Sequence, residues 1–131
     1  MGVYKEQLKS GGELVVTPTS WSIEYYFPGP DMRYNGEFFS IRENDIDKYI
    51  YAWKNNFEKY LELKSVIDLE GTYETMGEAG MKISIGGWRE GVFINWWDMN
   101  VKDASEINQI ITDYEAAKIK AKKVQEILKS L

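Results

Sequence analysis

The stretch Ser20-Trp21-Ser22-Ile23-Glu24-Tyr25-Tyr26-Phe27 sets the fold class. Trp21, Ile23, Tyr25 and Phe27 alternate with Ser20, Ser22, Glu24 and Tyr26, which is the period of a strand with one buried face. Upstream, Glu13-Leu14-Val15-Val16-Thr17 is apolar and β-branched and reads as a second strand, interrupted by Pro18. Residues 1–12 carry no such pattern and read as a candidate mobile segment. Downstream, Pro28-Gly29-Pro30-Asp31 must turn the chain, because two prolines around a glycine cannot continue a ladder. Gly36 to Ile41 is the expected partner strand across that loop.

Helical periodicity begins at Asn44. Ile46, Tyr49, Ile50, Trp53, Phe57, Tyr60 and Leu61 recur at intervals of three and four, so Asn44 to Lys64 is expected to be a helix with one apolar stripe. Asn44 can cap its first turn, where Asp45 and Asp47 also suit the dipole. Gly71, Gly77, Gly80, Gly86, Gly87 and Gly91 follow. Between them lie the alternating strand Met81 to Ile85 and the strand Val92 to Trp97, joined by the hairpin loop Gly86-Gly87-Trp88-Arg89-Glu90-Gly91. Thr72 to Thr75 is a further short strand candidate. Asp103-Ala104-Ser105-Glu106 resembles a capping box and opens a second helix running to Ser130. Ile107, Tyr114, Ala121 and Leu128 form one heptad row along it, and Ile110, Ala117, Val124 and Leu131 the other. A helix of that length spans ~40 Å. It either packs across the domain's own sheet or uses Ala121, Val124, Leu128 and Leu131 for self-association as a homodimer.

These elements predict a single α+β domain. The expected order is β-β-β-α-(β)-β-β-α, with one antiparallel sheet of about five strands and both long helices on one face.

Composition narrows the chemistry. The 131 residues include no histidine and no cysteine, so thiol nucleophiles, Ser-His-Asp triads, imidazole acid-base catalysis and the usual zinc and haem ligand sets are excluded. No cofactor or metal is implied. The net charge is −5, and residues 65–100 hold six acidic groups against two basic ones. Thirteen of the sixteen basic residues are lysine, and the remaining three are Arg33, Arg42 and Arg89, which argues against nucleic acid as a partner. Lys118, Lys120, Lys122 and Lys123 read as a solvated face near a helix C-terminus. The first residues lack an apolar signal core, Glu6 breaks the myristoylation pattern, and no stretch reaches the ~20 apolar residues of a membrane span. The expectation is a cytoplasmic protein without a membrane partner.

Two aromatic clusters are candidate partner- or ligand-binding sites. In the hairpin, Trp88, Arg89 and Glu90 stand at the loop, while Phe93 and Trp97 would share the sheet face opposite Val92, Ile94 and Trp96. Large aromatics on an open face, with Trp and Arg at a loop tip, are the residue types of interface hot spots. The second cluster is Tyr25, Arg33 and Tyr34 around the proline loop, where rings could stack a planar ligand and an arginine hold an anion. For catalysis only carboxylates, tyrosines and lysines remain. Glu70, Glu74, Glu78 and Asp98 could serve a sugar or a divalent cation, but their glycine-rich setting does not align them. No phosphate-binding glycine motif is present.

The leading expectation is therefore a small non-catalytic binding protein that masks a basic protein partner, in the manner of a phage- or mobile-element-encoded inhibitor or immunity protein. The alternatives are a protein that binds or sequesters a small anionic or planar ligand, and a carboxylate-based enzyme.

Overall fold

The computed structural model describes residues 2–27, 37–67, 71–86, 90–94 and 100–131. In chain order the elements are β1 (Tyr4–Gln7), β2 (Glu13–Val16), β3 (Trp21–Phe27), β4 (Glu37–Arg42), α1 (Ile46–Val66), β5 (Tyr73–Met76), β6 (Met81–Ile85), β7 (Gly91–Ile94), β8 (Asn100–Val101) and α2 (Ala104–Lys129). The fold is α+β, with two helices and two antiparallel four-stranded sheets, ordered β1-β2-β3-β4 and β5-β6-β7-β8. The single five-stranded sheet expected from the sequence is thus replaced by two sheets. Contacts divide the chain into two compact units, Met1–Ile46 with Gln109–Leu131, and Asp47–Asn108.

In the first unit, alternation works as the sequence implies. Trp21, Ile23 and Tyr25 are buried, and so are Leu14 and Val16 of β2 and Ile41 of β4. Antiparallel pairing aligns Glu6, Leu14, Ile23 and Ile41 in one row. Against this face lies α2, whose Ile110, Tyr114, Ala117 and Ala121 are buried at helical spacing. The Tyr25 and Tyr114 hydroxyls hydrogen-bond to each other, and Lys120 pairs with Glu6. The latter contact explains why residues 4–7 form a strand despite their charge. Glu6 points to the inner face, where Lys120 and the Tyr4 hydroxyl meet its carboxylate and hold its pKa below the usual value.

The heptad rows of α2 enter this packing as far as Ala121. Ala121 is 0 % exposed within the chain, Val124 and Leu128 are half-buried, and Leu131 is 91 % exposed. Of the four residues expected at a self-association seam, Ala121 is thus covered within the chain, while the last turn of the helix is not.

α1 follows a short 3-10 turn at Glu43–Asp45, so Asn44 lies inside that turn and not at the residue before α1; the turn's own N-cap, Arg42, makes no side-chain cap hydrogen bond. Ile50, Trp53, Phe57 and Tyr60 of the expected stripe are buried, whereas Leu61 is exposed. The sheet of the second unit begins with β5, which has the four-residue length of the short strand expected at 72–75 but lies one residue further along the chain. Both faces of β7 are buried, from Gly91 to Ile94. β8 is two residues long and pairs with Val92 and Phe93; so short a segment leaves no periodicity to read.

Each sheet is a meander of four consecutive strands followed in the chain by a helix, so the element order repeats without any sequence repeat. The helix of each unit is not the one that follows its own sheet. α1 leaves β4 and joins β5–β8, while most of α2 leaves β8 and joins β1–β4.

Candidate functional site

The base of the hairpin loop expected to engage a partner is held by one side chain, Glu90. Its Oε2 accepts hydrogen bonds from the Tyr60 hydroxyl at 2.7 Å and from Lys64 Nζ at 2.8 Å, and its Oε1 accepts from the Gly86 amide at 3.1 Å. Its backbone carbonyl accepts from Asn100 Nδ2 at 2.8 Å. Residues 86 and 90 are therefore tied to each other, to α1 and to β8. Gly86 is required here, since its φ is +74° and a Cβ would stand 2.2 Å from the Gly71 carbonyl oxygen.

The electrostatics follow from these contacts. Lys64, the Tyr60 hydroxyl and the Gly86 amide all stabilise the ionised form of Glu90, pulling its pKa to about 2. Burial raises the Tyr60 phenol, and the adjacent carboxylate adds to this. Lys64 is raised chiefly by its bond to Glu90. At neutral pH the site is a closed ion pair with a neutral phenol.

A depressed carboxylate contributes stability above its ordinary pKa and loses it as pH falls through the folded one. Glu90 is therefore expected to contribute about 2 kcal/mol above pH 4.5, discounted for the exposed lysine, and to lose it between pH 4.5 and about 2. Glu90→Gln should flatten that part of the stability-pH curve measured by urea unfolding. An unchanged acid limb would show that the pair is not formed in solution.

Other expected site residues fall differently. Phe93 is 4 % exposed, so its ring belongs to the interior and not to an open sheet face. Tyr25 is 3 % exposed and bonded to Tyr114, and burial drives its phenol pKa well up. It offers no ring to a stacked ligand. Glu90 is engaged internally. Trp88, Arg89, Trp97, Arg33 and Tyr34 lie outside the described residues, as do Glu70 and Asp98. Glu74 pairs with Lys82 at 3.4 Å, and Glu78 is exposed. Among the described residues, no three His, Cys, Asp or Glu side chains are grouped to hold a metal ion, and no helix is long and apolar enough to cross a membrane.

Two features of the first unit went unread in the sequence. One is a groove of roughly 300 Å³ between residues 6–9 and α2, lined by Glu6, Lys9, Leu14, Asp113, Ala117 and Lys120. Its buried Asp113 carboxylate already accepts from the Ser10 amide at 2.7 Å and from Gln109 Nε2 at 2.9 Å, so its polar wall is internally satisfied. The other is the outward face of β1–β4, where Tyr26 and Phe38 are directly paired across strands and are 65 % and 58 % exposed. The signal for Tyr26 was present, since alternation places it outward. Phe38 required the register of β4.

Comparison with protein-family models, with curated proteins and with solved structures returned no match to this chain.

Proposed function

We propose that this chain is a small non-catalytic binding protein that masks a basic partner protein, an inhibitor or immunity type of role. The observation that carries the reading is the uneven charge of its two units. Residues 47–108 hold eleven acidic and seven basic groups, a net −4, while the remainder holds ten and nine. Such an asymmetry steers a basic partner toward one unit and raises the association rate at low salt. The Glu90 anchor ties residues 86 and 90, which flank Trp88 and Arg89 in sequence, and a segment whose ends are fixed costs less entropy to order on binding. The competing reading, a small planar ligand stacked between rings, is weakened because Tyr25 is buried and hydrogen-bonded.

The test is co-purification from the native host followed by titration calorimetry with the recovered protein. A basic, stoichiometric partner is expected, whose association slows with salt. Trp88→Ala and Arg89→Ala should each weaken it by tenfold or more at unchanged melting temperature, as hot-spot truncations of about 2 kcal/mol do. Wild-type affinity in both variants would remove the loop from the interface.

A further inference from the structure

The outward face of β1–β4 is organised in rows by its register. One row is Lys5, Val15, Ser22 and Arg42; the next is Gln7, Glu13, Glu24 and Ser40; the last is Tyr26 and Phe38. Positive charge therefore stands at one end of the face and aromatic rings at the other, with a carboxylate row between. Three properties of the acidic and aromatic end are unusual for a sheet face that only meets water. Glu13 and Glu24 are direct cross-strand partners, and like charges so placed destabilise the ladder. Among the described residues no ion pair reaches either one, and the Ser22 hydroxyl donates to Glu24 at 3.1 Å. The next row presents two large aromatics, side by side, mostly to solvent.

From this we infer that the Glu13, Glu24, Tyr26 and Phe38 end of the face docks a cationic segment of a protein, one bearing arginine or lysine. The charge complementarity selects that occupant. A guanidinium can lie over the Tyr26 or Phe38 ring while its N–H groups reach the carboxylate row, and it relieves the repulsion between Glu13 and Glu24 as it binds. Among the described residues, the cations of the face, Lys5 and Arg42, stand in the far row. The inference is independent of the Trp88 and Arg89 loop, because it uses only residues of the first unit.

The experiment titrates the isotope-labelled full chain with a synthetic peptide of alternating glycine and arginine, and with its glycine-glutamate counterpart, followed by amide chemical shifts. Shifts at residues 13, 24, 26, 38 and 40 are expected for the arginine peptide alone. Tyr26→Thr and Phe38→Thr keep a good strand former in the ladder and should each weaken binding about two- to fivefold. Glu24→Gln should weaken binding and at the same time raise the melting temperature, a combination that a merely structural glutamate would not give. The inference is overturned if shifts fall elsewhere, if both peptides bind alike, or if the threonine variants bind as wild type. It is equally overturned if sedimentation shows the aromatic pair buried between two copies of the chain. Loss of binding in Trp88→Ala with Tyr26→Thr unaffected would reject this face and leave the loop reading standing.

Discussion

Asn56→Ala is expected to lower the unfolding free energy by about 3 kcal/mol, a large share of the roughly 5–15 kcal/mol available to a domain of this size. Asn56 is fully buried on α1, and its side chain substitutes for a backbone partner. Its Oδ1 accepts from the Glu78 amide at 2.8 Å, and its Nδ2 donates to the Glu78 carbonyl at 3.0 Å and to the Met81 sulfur at 3.2 Å. One amide thereby satisfies both backbone groups of the residue that turns the chain from β5 into β6. Alanine leaves these groups unpaired and opens a void beside Met81, which is itself fully buried. Gly77 belongs to the same device. Its φ is −99°, so no left-handed strain is involved, yet a Cβ there would lie 2.3 Å from Asn56 Oδ1. Gly77→Ala should therefore cost about 2 kcal/mol alone and much less in the Asn56→Ala background, where the colliding atom is gone. Urea unfolding of the two single variants and the double variant measures the coupling. Strict additivity would mean that the turn does not rest on Asn56.

That device could not have been read from the chain. Asn56 sits inside the apolar stripe of α1, where helical spacing buries it, but only the placement of residues 77–81 gives it partners. The same limit explains the sheet count. Alternation located β3 and β6, apolar and aromatic runs located β2, β4 and β7, and a short candidate stood one residue from β5. β1 was missed because Lys5, Glu6 and Gln7 outnumber Tyr4, and Glu6 is acceptable on the inner face only through Lys120, 114 residues away in sequence. β8 was missed because two residues hold no period. With five recognisable strands, one sheet was the simpler expectation, and nothing in a single chain tells which strands share a ladder.

The candidate sites divide along the same line. Residue type offered Glu90 as a contact for a partner, whereas its role in tying Gly86, Tyr60 and Lys64 together depends on α1, which comes earlier in the chain. Tyr25 was placed on the buried face by alternation and also offered as a ligand wall. The first reading excludes the second, since a phenol bonded to Tyr114 inside the unit cannot also line an open pocket. Tyr26, one residue along, is the exposed ring. The rows of the outward face, with glutamate opposite glutamate and tyrosine opposite phenylalanine, exist only once the register of three strand pairs is known.

Tyr114→Ala is expected to cost about 4 kcal/mol and Tyr114→Phe about 1–2 kcal/mol, and the separation between them is the informative quantity. Tyr114 is fully buried on α2 and lies on the sheet of the first unit through its hydroxyl bond to Tyr25. Removing the ring leaves a cavity between the helix and a sheet whose facing residues, Leu14, Ile23 and Ile41, are all fully buried and cannot move outward to fill it. Removing only the hydroxyl keeps the packing and strips Tyr25 of one partner. Tyr25→Phe should cost a similar amount, and the double phenylalanine variant less than the sum, because two apolar rings leave no unmet hydroxyl behind. The high phenol pKa of Tyr25, which follows first from burial, gives a second readout. A raised pKa means that the folded state holds the proton more tightly, so this group's stability is present at neutral pH and is lost as alkali approaches the folded value. The difference in stability between wild type and Tyr25→Phe should therefore narrow at strongly alkaline pH. If Tyr114→Ala proved as mild as Tyr114→Phe, α2 would not depend on this ring for its seat on β1–β4, and the burial of Ala121 two turns further along would need another cause.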